Sequence, residues 1–266
     1  MLALIVSAVI GILLGWGSYH EWGWGWGWAI AIGMIMTLVC QLLIGLFIRR
    51  KVSKINEKIQ GVMVEAQTKI NRMAQGFQRR PLGSVKEMQK MLEKEQNESV
   101  RKALDVANEM KPWYKWNFLL EKQINTMRMM LHFQLREIEE VDKLLPKCLL
   151  MDVRAVAIKI VRMYKKGNQD FHKLFAKKAK RLKNDDAALL YSLYSWILVK
   201  EGQTDKALAA LIEAKKKTSN ETIVQNWEHL ANGRVKQFSN AGLGDLWYSL
   251  YLEEPKVKPQ KMRRSF

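Results

Sequence analysis

Residues 28–48 read WAIAIGMIMTLVCQLLIGLFI, and RRKVSK follows at once as residues 49–54. This uncharged run of 21 residues meets the roughly 20 needed to cross a hydrocarbon core of ~30 Å. A shorter apolar run, Leu2 to Gly17, precedes it and reaches across by placing Trp16 and Tyr19 at the interface. Between Met1 and Ile48 the one formal charge is Glu21, whereas all 44 Lys and Arg lie beyond Ile48. Such a division predicts two solvents, lipid for residues 1–48 and water for the rest. The expected anchor is a two-helix transmembrane hairpin. A cleaved signal followed by one span is the competing reading, but no Lys or Arg precedes the first run and no polar segment follows it.

The connection, HEWGWGWG at residues 20–27, alternates Trp22, Trp24, Trp26 and then Trp28 with glycine, and Trp16 lies just before it. Indole rings favour the headgroup layer, and glycines allow a tight turn, so an interfacial anchor is predicted. A cation-binding aromatic cluster is the alternative. The tip has no Lys or Arg, whereas Arg49, Arg50, Lys51 and Lys54 follow the second span. The positive-inside rule then puts both termini in the cytoplasm, and a bacterial inner membrane is the expected location. Ser7, Gly11 and Gly15 line one helical face, and Ala29, Gly33, Thr37 and Gly45 another. Such faces associate in lipid, within the hairpin or between copies of the chain. Gln41 is expected to bond across a helix interface, and no acid, Lys or His at depth suggests a transport path.

Beyond the anchor, Val52, Ile55, Ile59, Val62, Ala66, Ile70 and Met73 form an apolar stripe at helical spacing. A juxtamembrane amphipathic helix over 49–80 follows, either as a coiled-coil stalk that pairs copies through residues 52–73 or lying on its own domain. Arg79-Arg80-Pro81-Leu82-Gly83 ends it, and Ser84 with Glu87 forms a capping box that starts a connecting helix over 84–111. No strand-like alternation follows, so the class is all-α. From Trp113 onward helices come in pairs, at 113–132 and 134–145, 149–166 and 169–182, 186–201 and 204–217, and 221–237 and 241–253. The turn residues Gly167 and Gly202 stand 35 apart. Breaks at this period mark helical hairpins stacked into an α-solenoid, here about four pairs over 112–254.

Residues 187–220 carry Tyr191, Tyr194 and Ser195 on the first helix, Gly202 at the turn, and Ala207, Leu211 and Ala214 on the second. In this pattern the chain resembles the tetratricopeptide repeat family. Gly167, Ala176 and Ala179 keep the pattern in the preceding unit, where His172 replaces an expected alanine; in the last unit Asp245 falls where an apolar residue belongs. The first unit matches by period and by its closing Pro146. The resemblance implies a module that binds peptides or helices of partner proteins on the face formed by the first helices.

Net charge is local: +7 over 49–111, +10 over 112–183, −3 over 184–254 and +5 from Pro255 on. Lys173, Lys177, Lys178, Lys180, Arg181 and Lys183 make the densest patch. Lys256, Lys258, Lys261, Arg263 and Arg264 belong to a basic tail, 255–266, predicted to be disordered. Anionic lipid headgroups are the nearest counter-charge for a membrane-held protein, and nucleic acid is the runner-up.

Cys40 and Cys148 give no disulfide framework, and His20, His132, His172 and His229 show no metal-ligand spacing. No phosphate loop, nucleophile elbow or dinucleotide fingerprint occurs, and no metal, cofactor or catalytic residue is expected. The expectation is a non-catalytic, membrane-anchored scaffold or adaptor that recruits partner proteins. A membrane-tethered factor that binds nucleic acid or ribosomes through its basic face is the alternative.

Overall fold

The computed structural model describes residues 2–22, 25–79, 85–116 and 118–255. Among them the fold is all helical, with no strand. The chain forms two compact units, Met1–Leu149 and Leu150–Phe266. The boundary therefore falls 37 residues beyond the expected start of the repeats at 112, and the pair of helices nearest that start belongs to the first unit.

In the first unit α1 (Leu2–Trp22) and α2 (Trp26–Arg79) form an antiparallel pair. Both are long and apolar enough to cross a membrane. The most apolar 18-residue stretch of α1 has 28% of its residues buried within the chain, and that of α2 has 0%. Leu13, Trp28, Leu38 and Leu42 are each at least 60% exposed, the reverse of a soluble core helix. The two helices meet through their small residues. A Cβ placed on Gly11 would overlap the Thr37 hydroxyl and stand 2.6 Å from the Gly33 carbonyl oxygen; one on Gly15 would stand 2.8 Å from the Ala29 carbonyl oxygen. Ser7 Oγ donates to Gln41 Oε1 at 3.0 Å, so Gln41 bonds across the helix pair as its position suggested. Gly45 faces open space and takes no part in this contact.

α2 runs on without a break for 54 residues, about 80 Å at the ordinary helical rise. α3 (Val85–Asn108) returns along its polar half, antiparallel, with Lys69 on Glu95 at 2.7 Å and Lys58 on Glu109 at 3.0 Å. Ile55, Ile59 and Ala66 of the apolar stripe are buried, and Ile55 and Ile59 share a core with Val100, Ala103, Leu104 and Ala107. From Val52 to Val62 the stripe thus lies on its own domain. Residues 85–108, expected to be a connecting helix, are the other half of this hairpin. Ser84 and Pro81 lie outside the described residues, as do Met1, Trp24 and 256–266, and the side chain of Trp22 goes undescribed.

A 3₁₀ turn at Lys111–Trp116 then leads into α4 (Phe118–Gln134) and α5 (Ile138–Leu144). The second unit comprises α6 (Val153–Lys165), α7 (Phe171–Ala179), α8 (Asn184–Lys200), α9 (Thr204–Lys215), α10 (Glu221–Ala231) and the one-turn α11 (Asp245–Tyr248). Asp152 caps α6 by accepting from the Arg154 and Ala155 amides, and Asn220 caps α10 by accepting from Thr222.

One backbone device recurs where α4, α6, α8 and α10 end. Arg136, Gly167, Gly202 and Gly233 all take positive φ, at 59°, 70°, 74° and 66°. The next amide in each case donates back five residues: Glu137 to His132, Asn168 to Met163, Gln203 to Leu198, Arg234 to His229. This is the Schellman closure, which occupies orphan carbonyls at a helix end. Its four instances stand 31, 35 and 31 residues apart.

The fourth instance changes the last pair. The expected helix over 221–237 stops at Ala231 because Gly233 closes it, and the expected helix over 241–253 is absent. Gly244, at φ 55° and ψ −131°, holds a conformation that is essentially glycine's alone and interrupts that segment. Asp245 therefore starts a single turn, exposed, and occupies no apolar site.

Candidate interaction surfaces

The centre of the second unit is α8. Eleven of its 17 residues are buried, from Ala187 to Leu198, and they occur on every side of the helix. A helix that is apolar all round needs cover all round. α6, α7 and α9 share its core. Ala207, Leu211 and Ala214 of α9 are fully buried, so small residues set a close approach there. Phe171, Phe175 and Ala179 line the inner face of α7 at four-residue spacing. Ala176, one position off that face, is exposed; the packing role expected of it falls to Phe175. Phe175 stacks on Tyr194 at 3.8 Å and meets Tyr191 edge-on at 5.1 Å. Burial holds the Tyr194 phenol above its ordinary value. His172, the departure from the small-residue pattern, pairs Nδ1 with Tyr194 Oη at 2.8 Å and Nε2 with Gln169 Oε1 at 3.0 Å. Ser195 is buried and turns its hydroxyl back to the Tyr191 carbonyl.

The remaining side of α8 is covered by the segment after α10. Trp247 is fully buried and meets Trp196 edge-on at 5.7 Å. The two indole N–H groups donate to opposite oxygens of one carboxylate: Trp196 to Glu253 Oε1 and Trp247 to Glu253 Oε2, each at 2.8 Å. Asn240, also fully buried, donates to the Ser192 carbonyl at 3.0 Å and accepts from Asn226. The resemblance made the first helices an open peptide-binding face. Along α8 that face is closed by the chain itself. Sequence reading missed this latch because Glu253 next to Glu254 looks like the solvated end of a helix.

The basic patch divides in two. Lys178 donates to the Leu150 carbonyl, and Lys173 pairs with Asp170 at 2.9 Å. Lys217, outside the predicted patch, caps α7 by donating to the Ala179 carbonyl at 2.7 Å. Lys177, Lys180, Arg181 and Lys183 are exposed and form the solvent-facing remainder. Nearby, Lys215 sits over the Trp227 ring at 3.3 Å. The tail lysines and arginines, Lys256 to Arg264, lie outside the described residues.

At the other end of the chain, Trp16, Trp26 and Trp28 are all exposed, and Tyr19 packs on Trp26 at 4.6 Å. Arg49 and Arg50 are exposed on α2 where its apolar half ends. The described residues hold no cluster of three or more metal-ligating side chains. Against family models, curated proteins and solved structures, the chain gives no match.

Proposed function

We propose that the chain is a membrane-anchored helical scaffold: α1 and the first half of α2 sit in the lipid, and helical repeats of the tetratricopeptide kind dock partner proteins at the cytoplasmic face. The fourfold Schellman closure is the observation that carries this reading. A recurring helix end at a period of 31–35 residues is what a stack of helical hairpins requires. The anchor is supported by two long helices whose apolar side chains face outward rather than into a core. Because α8 is covered, the partner is expected on the outer side of the second unit, where Lys177, Lys180, Arg181 and Lys183 favour an acidic surface.

Purification of the full chain from gently solubilised membranes tests this. Recovery of a protein partner in stoichiometric amount, lost when Lys177, Lys180, Arg181 and Lys183 are changed together to Glu, supports it. Recovery of no such partner refutes the scaffold. Retention of RNA with steep salt dependence would instead establish the nucleic-acid reading.

A further inference from the structure

The first unit brings the chain back to the point where α2 changes from apolar to basic. α3 runs antiparallel along α2, and the 3₁₀ segment after it, KPWYKW at Lys111–Trp116, lies beside Ile44, Phe47 and Ile48. Trp113 meets Phe47 edge-on at 6.0 Å. Lys111, Pro112 and Lys115 of the same segment face solvent. Alternation of Trp and Tyr with Lys is the composition of a segment at a headgroup layer, with ring bodies in the apolar zone and polar ends in water.

Beside it lies a cleft of about 810 Å³ between the start of α1, the middle of α2 and α4. Its lining changes along α2: Gln41, already bonded to Ser7, and Gly45 belong to the apolar half, and Arg49, Ser53 and Asn56 to the basic half, while Leu4 and Leu119 add apolar surface and Gln123 a further amide. Gly45, which had no role in the α1–α2 contact, leaves this cleft open, since a Cβ there meets nothing within 4 Å. Among the described residues no carboxylate lines the cleft and Arg49 forms no ion pair. The neighbouring cleft differs: Arg50, Lys51 and Lys54 there share the wall with Glu57. A cation without an acid in the lining, amide side chains of Asn56 and Gln123, and apolar surface continuous with a lipid-length helix call for an amphiphile with an anionic head.

We infer that this cleft holds an anionic phospholipid of the cytoplasmic leaflet. The phosphate sits on Arg49, Asn56 and Gln123, and an acyl chain runs along Leu4, Gly45 and Leu119. The volume lies within the roughly 300–1,000 Å³ of small-molecule sites. This rests on the membrane-anchor reading proposed above, with a lipid site that the reading does not by itself require.

Native mass spectrometry of the full chain in mild detergent, titrated with phosphatidylglycerol and with phosphatidylcholine, is the test. One phosphatidylglycerol is expected to bind in preference to phosphatidylcholine. Arg49→Gln should weaken it about tenfold, and Arg50→Gln, which removes the same charge from the other cleft, should leave it unchanged. Leu119→Asn should also weaken it, through the acyl end. Equal binding of the two lipids, or equal loss in both Arg variants, overturns the site in favour of general charge attraction. Displacement by millimolar glycerol 3-phosphate overturns the lipid assignment in favour of a soluble phosphate. Alkaline extraction of the same membranes separates the two proposals. A chain that stays in the pellet yet binds no lipid refutes only the site, whereas a chain released to the supernatant refutes the anchor and the site with it.

Discussion

Glu253 is the residue whose replacement tests the second unit most directly. Its carboxylate accepts from two indoles, one fully buried and one nearly so, at 2.8 Å each. A hydrogen bond to a charged group contributes about 1.5–3 kcal/mol net. In Glu253→Gln the amide oxygen can still accept from one indole, but the NH₂ group faces the other, donor against donor. The expected loss is therefore that of one charged hydrogen bond, about 1.5–3 kcal/mol. Glu253→Ala removes both bonds. Because Glu253 is itself half-buried, water replaces part of what is lost, and about 2–4 kcal/mol is expected rather than twice the single loss. Near-UV circular dichroism on heating the detergent-solubilised chain reads this, since Trp196 and Trp247 pack edge to face. At ~2–8 °C per kcal/mol for domains of this size, Glu253→Gln should lower the midpoint by roughly 3–24 °C. In a double-mutant cycle, Trp247→Phe and Glu253→Gln should be coupled by about 0.5–3 kcal/mol. A Glu253→Gln chain that melts with its parent, or a cycle that is additive, would refute the latch.

Other outcomes follow from the same geometry. Arg136 and Gly202 hold equivalent backbone positions with positive φ; Arg136→Gly should stabilise the chain by about 1 kcal/mol and Gly202→Ala destabilise it by about as much, as denaturant midpoints would show. Gly11→Ala should lower the thermal midpoint in detergent, at an overpacking cost of about 1–3 kcal/mol, while Gly61→Ala, where the added methyl meets nothing, should not. The raised phenol of Tyr194 stays neutral in the folded chain after it would ionise in the unfolded one. Stability should therefore hold below about pH 10 and fall as pH rises from there towards the folded value, and denaturant midpoints from pH 9 to 11 should show a shallower fall in Tyr194→Phe.

The helical class and the approximate lengths of the central helices were legible because apolar residues recur at helical spacing and glycines punctuate the ends. Gly167 and Gly202 marked two closures from sequence alone. Arg136 did not, since any bulky residue resists the left-handed region and only tertiary context holds one there. The early end of α10 was readable, since Asn232-Gly233 is a strong helix stop that the expected range 221–237 ran past. For the stripe on α2, periodicity gives the face of a helix and not what covers it. A coiled-coil partner and α3 offer the same apolar surface, and the pairs Lys58–Glu109 and Lys69–Glu95 that choose between them are 51 and 26 residues apart in the chain. The cleft beside Arg49 was invisible for the same reason, since its walls come from three separate helices.

Whether the segment covering α8 is part of the core or a plug that a partner could displace is decided by magnitude. Leu243, Trp247 and Leu250 of that segment are at most 8% exposed, and Asn240 is fully buried. Each large apolar side chain contributes about 1.5–3 kcal/mol on burial, so three give roughly 4–9 kcal/mol as an upper range. The Glu253 and Asn240 hydrogen bonds add a few more. That sum approaches the whole stability of an ordinary domain, about 5–15 kcal/mol. A partner peptide would have to supply all of it before gaining any affinity of its own. The segment is therefore a wall of the core, and release of α8 amounts to unfolding the unit. Hydrogen exchange gives the check. Amides of residues 247–250 should exchange with the same opening free energy as those in the middle of α8, and substantially faster exchange at 247–250 would show a displaceable plug instead.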